Sequence, residues 1–162
     1  MSPRVGQGFD VHRFAEPSAL RPLRLMGVEV PHGCGLEGHS DADVMLHALM
    51  DALLGAAGLG DIGAHFPDTD AAYRGADSVD LLQRVMEELG GRGWQVVNAD
   101  VTLIGERPRI GPHRQAMRER IAPVLGLTAE ALNVKATTSE GLGFPGRGEG
   151  LAAMAVVLIE RP

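Results

Sequence analysis

The chain of 162 residues, 44% hydrophobic and 22% charged, suits one folded domain spanning residues 1–162 rather than a disordered segment. A formal charge of −6 argues against the basic surface that nucleic-acid binding needs, and no run approaches the roughly 18 apolar residues of a membrane span. The single cysteine, Cys34, excludes an internal disulfide, and residues 1–6 lack the apolar core of a signal peptide, so a cytoplasmic location is expected.

Residues 4–9 read as a strand that runs into Asp10, Val11 and His12. Residues 23–30 are apolar around Gly27, which suits two short strands or one bulged strand. Ser40 is a good helix N-cap, with Asp43 placed in the first turn. Leu46, Leu49, Met50 and Leu53 then form one apolar stripe, which fades near residues 55–60. A second helix is predicted over 78–89, with Gly90 as its stop. Residues 94–104 alternate, which puts Val97, Ala99, Val101 and Leu103 on one side and Asn98, Asp100 and Thr102 on the other. A third helix is expected from Pro112 to Gly126, kinked or broken at Pro123. Strands at 133–138 and 151–160 complete the set. The order predicts an α/β (α+β) two-layer sandwich, a mixed sheet with helices on one face. With only 4% aromatic residues the core must be aliphatic and small, a composition that gains from oligomerisation.

Four segments could carry chemistry. Asp10 and His12 lie at i and i+2 and share a face if the strand continues, or converge if it turns. Asp43, His47 and Asp51 are spaced by four, so a helix places a histidine between two acids, either of which could hold its tautomer. Asp10, His12 and His47 together would offer Zn²⁺ three ligands and leave a fourth position open. The same row also suits a solvated helix face with weak charge pairs. Thr137, Thr138, Ser139 and Glu140, followed by two glycines at a strand end, suit phosphate oxygens and a second divalent ion, or form a plain polar turn. Phe66, Pro67, Asp68, Thr69 and Asp70 form a rigid acidic turn that could cap the next segment or meet a hydroxylated substrate. Cys34 reads as a bystander, and His32, His65 and His113 as surface or capping residues.

The motifs RVGQGFDVHRF, GLEGHSDADVMLHALMDALLGAAGLGDIGAHFPDTD, GADS, NADVTLIGERPRIGPH and NVKATTSEGLGFPGRGEGLAA follow one another over nearly the whole chain. In this the chain resembles the 2-C-methyl-D-erythritol 2,4-cyclodiphosphate synthase family of the non-mevalonate isoprenoid pathway. The resemblance implies a cyclising, CMP-releasing phosphorus–oxygen lyase that converts 4-diphosphocytidyl-2-C-methyl-D-erythritol 2-phosphate to the cyclic diphosphate. It also implies a homotrimer with active sites between subunits. By motif, Asp10, His12 and His47 would ligate zinc, and Glu140 a second ion, Mg²⁺ or Mn²⁺. His39 and Thr138 would hold the diphosphate and stabilise the transition state. Asp10, Val11, His12, His39 and Ser40 would line the substrate, and Asp61, Ile62 and Gly63 would meet the ribose. Residues 66–70 would take the methylerythritol end. Gly105, Glu106, Arg107, Pro108, Arg109, Ile110 and Gly111 would wrap the cytosine, with Thr137, Thr138, Ser139 and Glu140 beside the phosphates. Phe144 and Arg147, with Glu149, would lie near a threefold axis, where Arg147 would bind an isoprenoid diphosphate. Arg109 and Ser139 stand where the family commonly has lysine and threonine. A metal-dependent phosphohydrolase and a non-catalytic metal or phosphate-binding module are the rival readings.

Overall fold

The structure, a computed structural model, describes residues 2–162. A four-stranded mixed sheet has the order β1 (Arg4–Arg13), β6 (Gly150–Glu160), β4 (Gln95–Ile104), β5 (Leu132–Thr137). β4 and β5 are parallel, and the other pairs are antiparallel. A separate hairpin joins β2 (Leu23–Leu25) to β3 (Val28–Val30) through Met26 and Gly27, both at positive φ (52° and 71°). The main helices are α1 (Val44–Ala57), α3 (Ser78–Gly91) and α4 (Arg114–Ile121); α2 (Ile62–His65) and α5 (Gly143–Gly146) are single turns. The expected mixed α/β sandwich is therefore present. Among the described residues no helix is long and apolar enough to cross a membrane.

β1 continues through Asp10 and His12 instead of turning, so both side chains share a face with Gly6 and Gly8. That face lies against α1. An ideal Cβ on Gly6 would sit 1.9 Å from the Ala52 carbonyl oxygen, and one on Gly8 1.9 Å from that of Ala48. The helix therefore rests on the strand backbone itself. Two strand residues rise about 6.6 Å and one helical turn about 5.4 Å, so successive contacts stay nearly in step. Continuing the series brings the first turns of α1 over Asp10 and His12.

Several sequence expectations change for physical reasons. The helix opens at Asp43, not Ser40: Asp43 accepts the Leu46 N–H and also the Met26 and Gly27 N–H groups (3.0 and 2.8 Å). One carboxylate thus caps α1 and holds the hairpin turn. Its complete burial pushes its pKa up to about 6, although those N–H groups favour the charged form. Twelve of the 14 residues in α1 are buried, so it has no solvated face and the row of 43, 47 and 51 cannot be one. In β4 a bulge between Val96 and Asn98 reverses the alternation, turning Val96 inward and leaving Val97 exposed. The third helix splits into a 3₁₀ turn at Gly111–His113 and α4, which ends two residues before Pro123.

The backbone approach of α1 is the tightest feature of this packing. Gly8→Ala is expected to lower the unfolding free energy by about 3 kcal/mol. Gly90→Ala, whose Cβ would meet nothing within 4 Å, should change it by less than about 1 kcal/mol. Urea denaturation of both variants checks the contrast.

Candidate active site

Asp10, His12 and His47 meet at the end of β1. His12 Nε2 lies 2.9 Å from Asp10 Oδ2, His47 Nδ1 lies 3.2 Å from the same oxygen, and the two ring nitrogens are 3.2 Å apart. One ligand atom from each falls within a 4.8 Å cluster. The outer nitrogens explain the arrangement. His12 Nδ1 is 2.6 Å from the Glu37 carbonyl oxygen, which only accepts, so the proton sits on Nδ1 and the Nε2 lone pair faces the cluster. His47 Nε2 is held among the Ser40 and Ser78 hydroxyls at 3.1 and 3.0 Å. Two imidazole nitrogens and a carboxylate oxygen then point at one another. Such a set can hold a cation, and its two nitrogens and one oxygen suit zinc.

Burial alone would raise the Asp10 pKa, but hydrogen bonds and charge from His12 and His47 outweigh it and bring it down to about 2. For His12, burial works toward the neutral form, while the hydrogen bond and charge of Asp10 prevail and raise its pKa above 6.5.

The tautomer of His47 is not set by the acids at i−4 and i+4, contrary to the sequence expectation. Asp43 is committed to the hairpin turn, and Asp51 accepts the Ile62 N–H at 2.8 Å. Both acids are claimed by otherwise unpaired backbone donors, and serine hydroxyls take the imidazole instead.

A pocket of about 390 Å³ opens beside the triad, and His39, Ser40, Ile62, Gly63, Phe66, Pro67 and Asp68 are among the residues that line it. His39 Nε2 lies 2.9 Å from the Asp70 carbonyl oxygen, and Arg21 donates to the Gly38 and Ser40 carbonyls (3.1 and 2.7 Å). These contacts brace the loop against the 66–70 turn. Asp61 and Asp70 serve as local caps, accepting from Ala64 and Ala72, and Thr69 does not line the pocket. The Val11 side chain lies on the opposite, exposed face of β1.

A second pocket, about 720 Å³, is lined by residues 105–111 together with Thr137 and Thr138. It shares no residue with the first. Beside it, the Thr138 hydroxyl accepts the Glu140 N–H at 3.2 Å, and Glu106 accepts the Gly141 N–H at 2.9 Å. Glu140 itself sits at φ 55° with its side chain exposed. Ser139 bonds the Leu142 carbonyl, Phe144 is half-buried, and exposed Arg147 pairs with Glu149 at 2.6 Å. The sequence reading missed Glu37, which acts through its carbonyl and leaves no side-chain signal. It also missed Asp41 and Ser78; the latter was read only as a helix start.

The YgbB family model matches residues 3–160. The 2-C-methyl-D-erythritol 2,4-cyclodiphosphate synthase of Alkalilimnicola ehrlichii is 60% identical over 158 residues, 98% of this chain and 95% of that protein. The bifunctional IspDF from Campylobacter jejuni superposes with a TM-score of 0.93 at 43% identity over 99% of this chain, which spans only 43% of that longer protein. A 2C-methyl-D-erythritol-2,4-cyclodiphosphate synthase solved in a CDP-bound form gives a TM-score of 0.87 at 41% identity, covering 97% of this chain and 100% of that one.

The paired behaviour of Asp10 and His12 can be read in the metal-free protein. Its stability should contain a His12 contribution that is complete below pH 6.5 and lost as pH rises through the raised pKa. The Asp10 contribution is present above pH 3.8 and lost as pH falls toward about 2. Asp10→Asn should lower the His12 pKa, because burial then faces no carboxylate; an NMR titration of the His12 ring checks this.

Proposed function

The chain belongs to the YgbB family, and from that premise we propose that it is a 2-C-methyl-D-erythritol 2,4-cyclodiphosphate synthase, a cytoplasmic enzyme of non-mevalonate isoprenoid biosynthesis. It acts as a phosphorus–oxygen lyase on 4-diphosphocytidyl-2-C-methyl-D-erythritol 2-phosphate. The observation that carries the reading is the Asp10–His12–His47 cluster at the mouth of a pocket whose other residues suit a phosphorylated polyol.

A 2-phosphate oxygen attacks the β-phosphorus of the same molecule, and CMP leaves in line. The obstacles are repulsion among anionic groups and the entropy of closing the ring. A zinc ion on Asp10, His12 and His47, with Mg²⁺ or Mn²⁺ on Glu140, would neutralise phosphate oxygens and support charge on the departing CMP. The chain itself supplies position. His39 and Ser40 present polar groups at the pocket rim, and the 66–70 turn receives the hydroxylated end. Residues 105–111 offer backbone groups to the cytosine. The Thr138 hydroxyl, which accepts from Glu140, keeps its own proton for a phosphate oxygen. No side chain acts as a nucleophile, which suits an intramolecular attack. Net charge −6 is no bar to a polyanion when metals supply the local positive charge.

The enzyme works as a homotrimer in this reading. Val11, Ala152, Ile104 and Thr137 form one row across the sheet, so the triad and the Thr138 loop lie at opposite edges. Three strand spacings separate those edges by roughly 14 Å. A neighbouring copy that brings its 105–111 and Thr138 edge beside this triad would join the two pockets. The sheet face away from α1 supports such packing, since it exposes Phe9, Val11, Met154 and Val156 together. Near the threefold axis, Phe144 and Arg147 would receive an isoprenoid diphosphate, which must compete with Glu149 for the guanidinium.

Incubation with substrate should yield the cyclic diphosphate by ³¹P NMR and CMP in equal amount, with both lost on chelation. A linear phosphate product would instead identify hydrolysis, and substrate binding without CMP release a non-catalytic module. Glu140→Gln should lower turnover by about 10²- to 10³-fold, keep zinc bound and raise the Mg²⁺ or Mn²⁺ needed for half-maximal rate. Light scattering should give three chain masses, and an active monomer at high dilution would contradict the shared site.

A further inference from the structure

The two hydroxyls that meet His47 Nε2 are not equivalent. Ser78 Oγ donates its one proton to Asp41 Oδ1, while the other Asp41 oxygen accepts the Ser78 N–H at 3.0 Å. With its proton committed, Ser78 Oγ offers His47 only lone pairs, so Nε2 meets it as an N–H. The other ring nitrogen, Nδ1, then keeps its lone pair, and it is this atom that faces Asp10 and His12. Ser40 Oγ only accepts from the Ala42 N–H at 3.2 Å. Its proton is uncommitted, so it can serve His47 as donor or acceptor and sets no tautomer.

We infer that Asp41 and Ser78 are positioning residues that fix His47 in its Nε2–H tautomer and so aim the Nδ1 lone pair into the cation site. This rests on reading Asp10, His12 and His47 as that site. The relay is stiff because its parts are anchored separately. His47 stands in α1, whose start is capped by Asp43. Ser78 opens α3, where Asp77 accepts the Val79 N–H at 2.8 Å. Asp41 lies in the loop between β3 and α1, and its Oδ1 also accepts the Asp43 N–H. Ser78 is fully buried and His47 nearly so, so bulk water does not compete for the imidazole proton. Hydrogen bonds from such outer groups to a metal-ligating imidazole typically set 10- to 100-fold of metal affinity.

The test uses the purified full chain, wild type, Ser78→Ala and Ser78→Thr, with zinc as the probe. Zinc affinity comes from competition with a chromophoric chelator. The His47 tautomer comes from long-range ¹⁵N–¹H correlation of the metal-free protein. We expect Nε2–H in the wild type, mixed tautomers and about 10- to 100-fold weaker zinc in Ser78→Ala, and recovery of both in Ser78→Thr. Unchanged affinity and tautomer in Ser78→Ala would overturn the relay alone. Should that variant not fold, a wild-type His47 found as the Nδ1–H tautomer would overturn it as well. A wild type that binds no zinc would instead overturn the cation site on which the relay depends.

Discussion

The contact between α1 and β1 governs the rest of the molecule. With hydrogen at Cα on Gly6 and Gly8, helix and strand backbones approach closer than any side chain would allow. A helix seated that deeply is almost wholly buried, and it brings the His47 imidazole within 3.2 Å of Asp10, which a longer spacing would put out of reach. Ala48, Ala52 and Ala56 keep the helix side of the contact small. A core of alanine, valine and leucine with almost no aromatic residues follows from that geometry, since large rings would hold the layers apart.

That burial makes the electrostatics of the site specific. Polar groups inside a packed layer must be paired, and every buried side-chain polar atom among the described residues has a partner. Asp43, Asp51 and Asp41 are each taken by backbone N–H groups or a serine, which leaves Asp10 as the one carboxylate turned to the two imidazoles. The pairing partners therefore decide which acids are structural and which remains for a cation. The same acids seen in sequence are chemically alike.

The sheet order then sets the triad apart from the Thr138 loop. β1 and β5 are its two edges, and the triad lies at one while the Thr138 loop lies at the other. The pocket beside the triad lacks residues 105–111, and the pocket those residues line lacks the cation ligands. In the proposed homotrimer, one neighbouring copy would both cover the partly apolar sheet face and join the two pockets.

Much of this was legible in the residues themselves. Apolar periodicity located α1, α3 and β4, Pro123 marked the end of α4, and the metal-capable residues stood out by type and spacing. These are local properties, written in neighbours along one element. What the sequence alone left open depended on contacts between elements distant in the chain. Ser40 looked like an N-cap until the hairpin turn and α1 were seen to share Asp43. Val97 looked inward until pairing with β6 introduced a bulge. Asp43 and Asp51 looked like partners for His47 at a spacing of four, but unpaired N–H groups at positions 26, 27 and 62 claimed them first. Spacing along a helix determines which groups share a face, whereas the partner each group takes is settled by competition among all donors that folding brings near. Only the tertiary structure could therefore name Ser78 as the imidazole's partner, because 31 residues of chain separate it from His47.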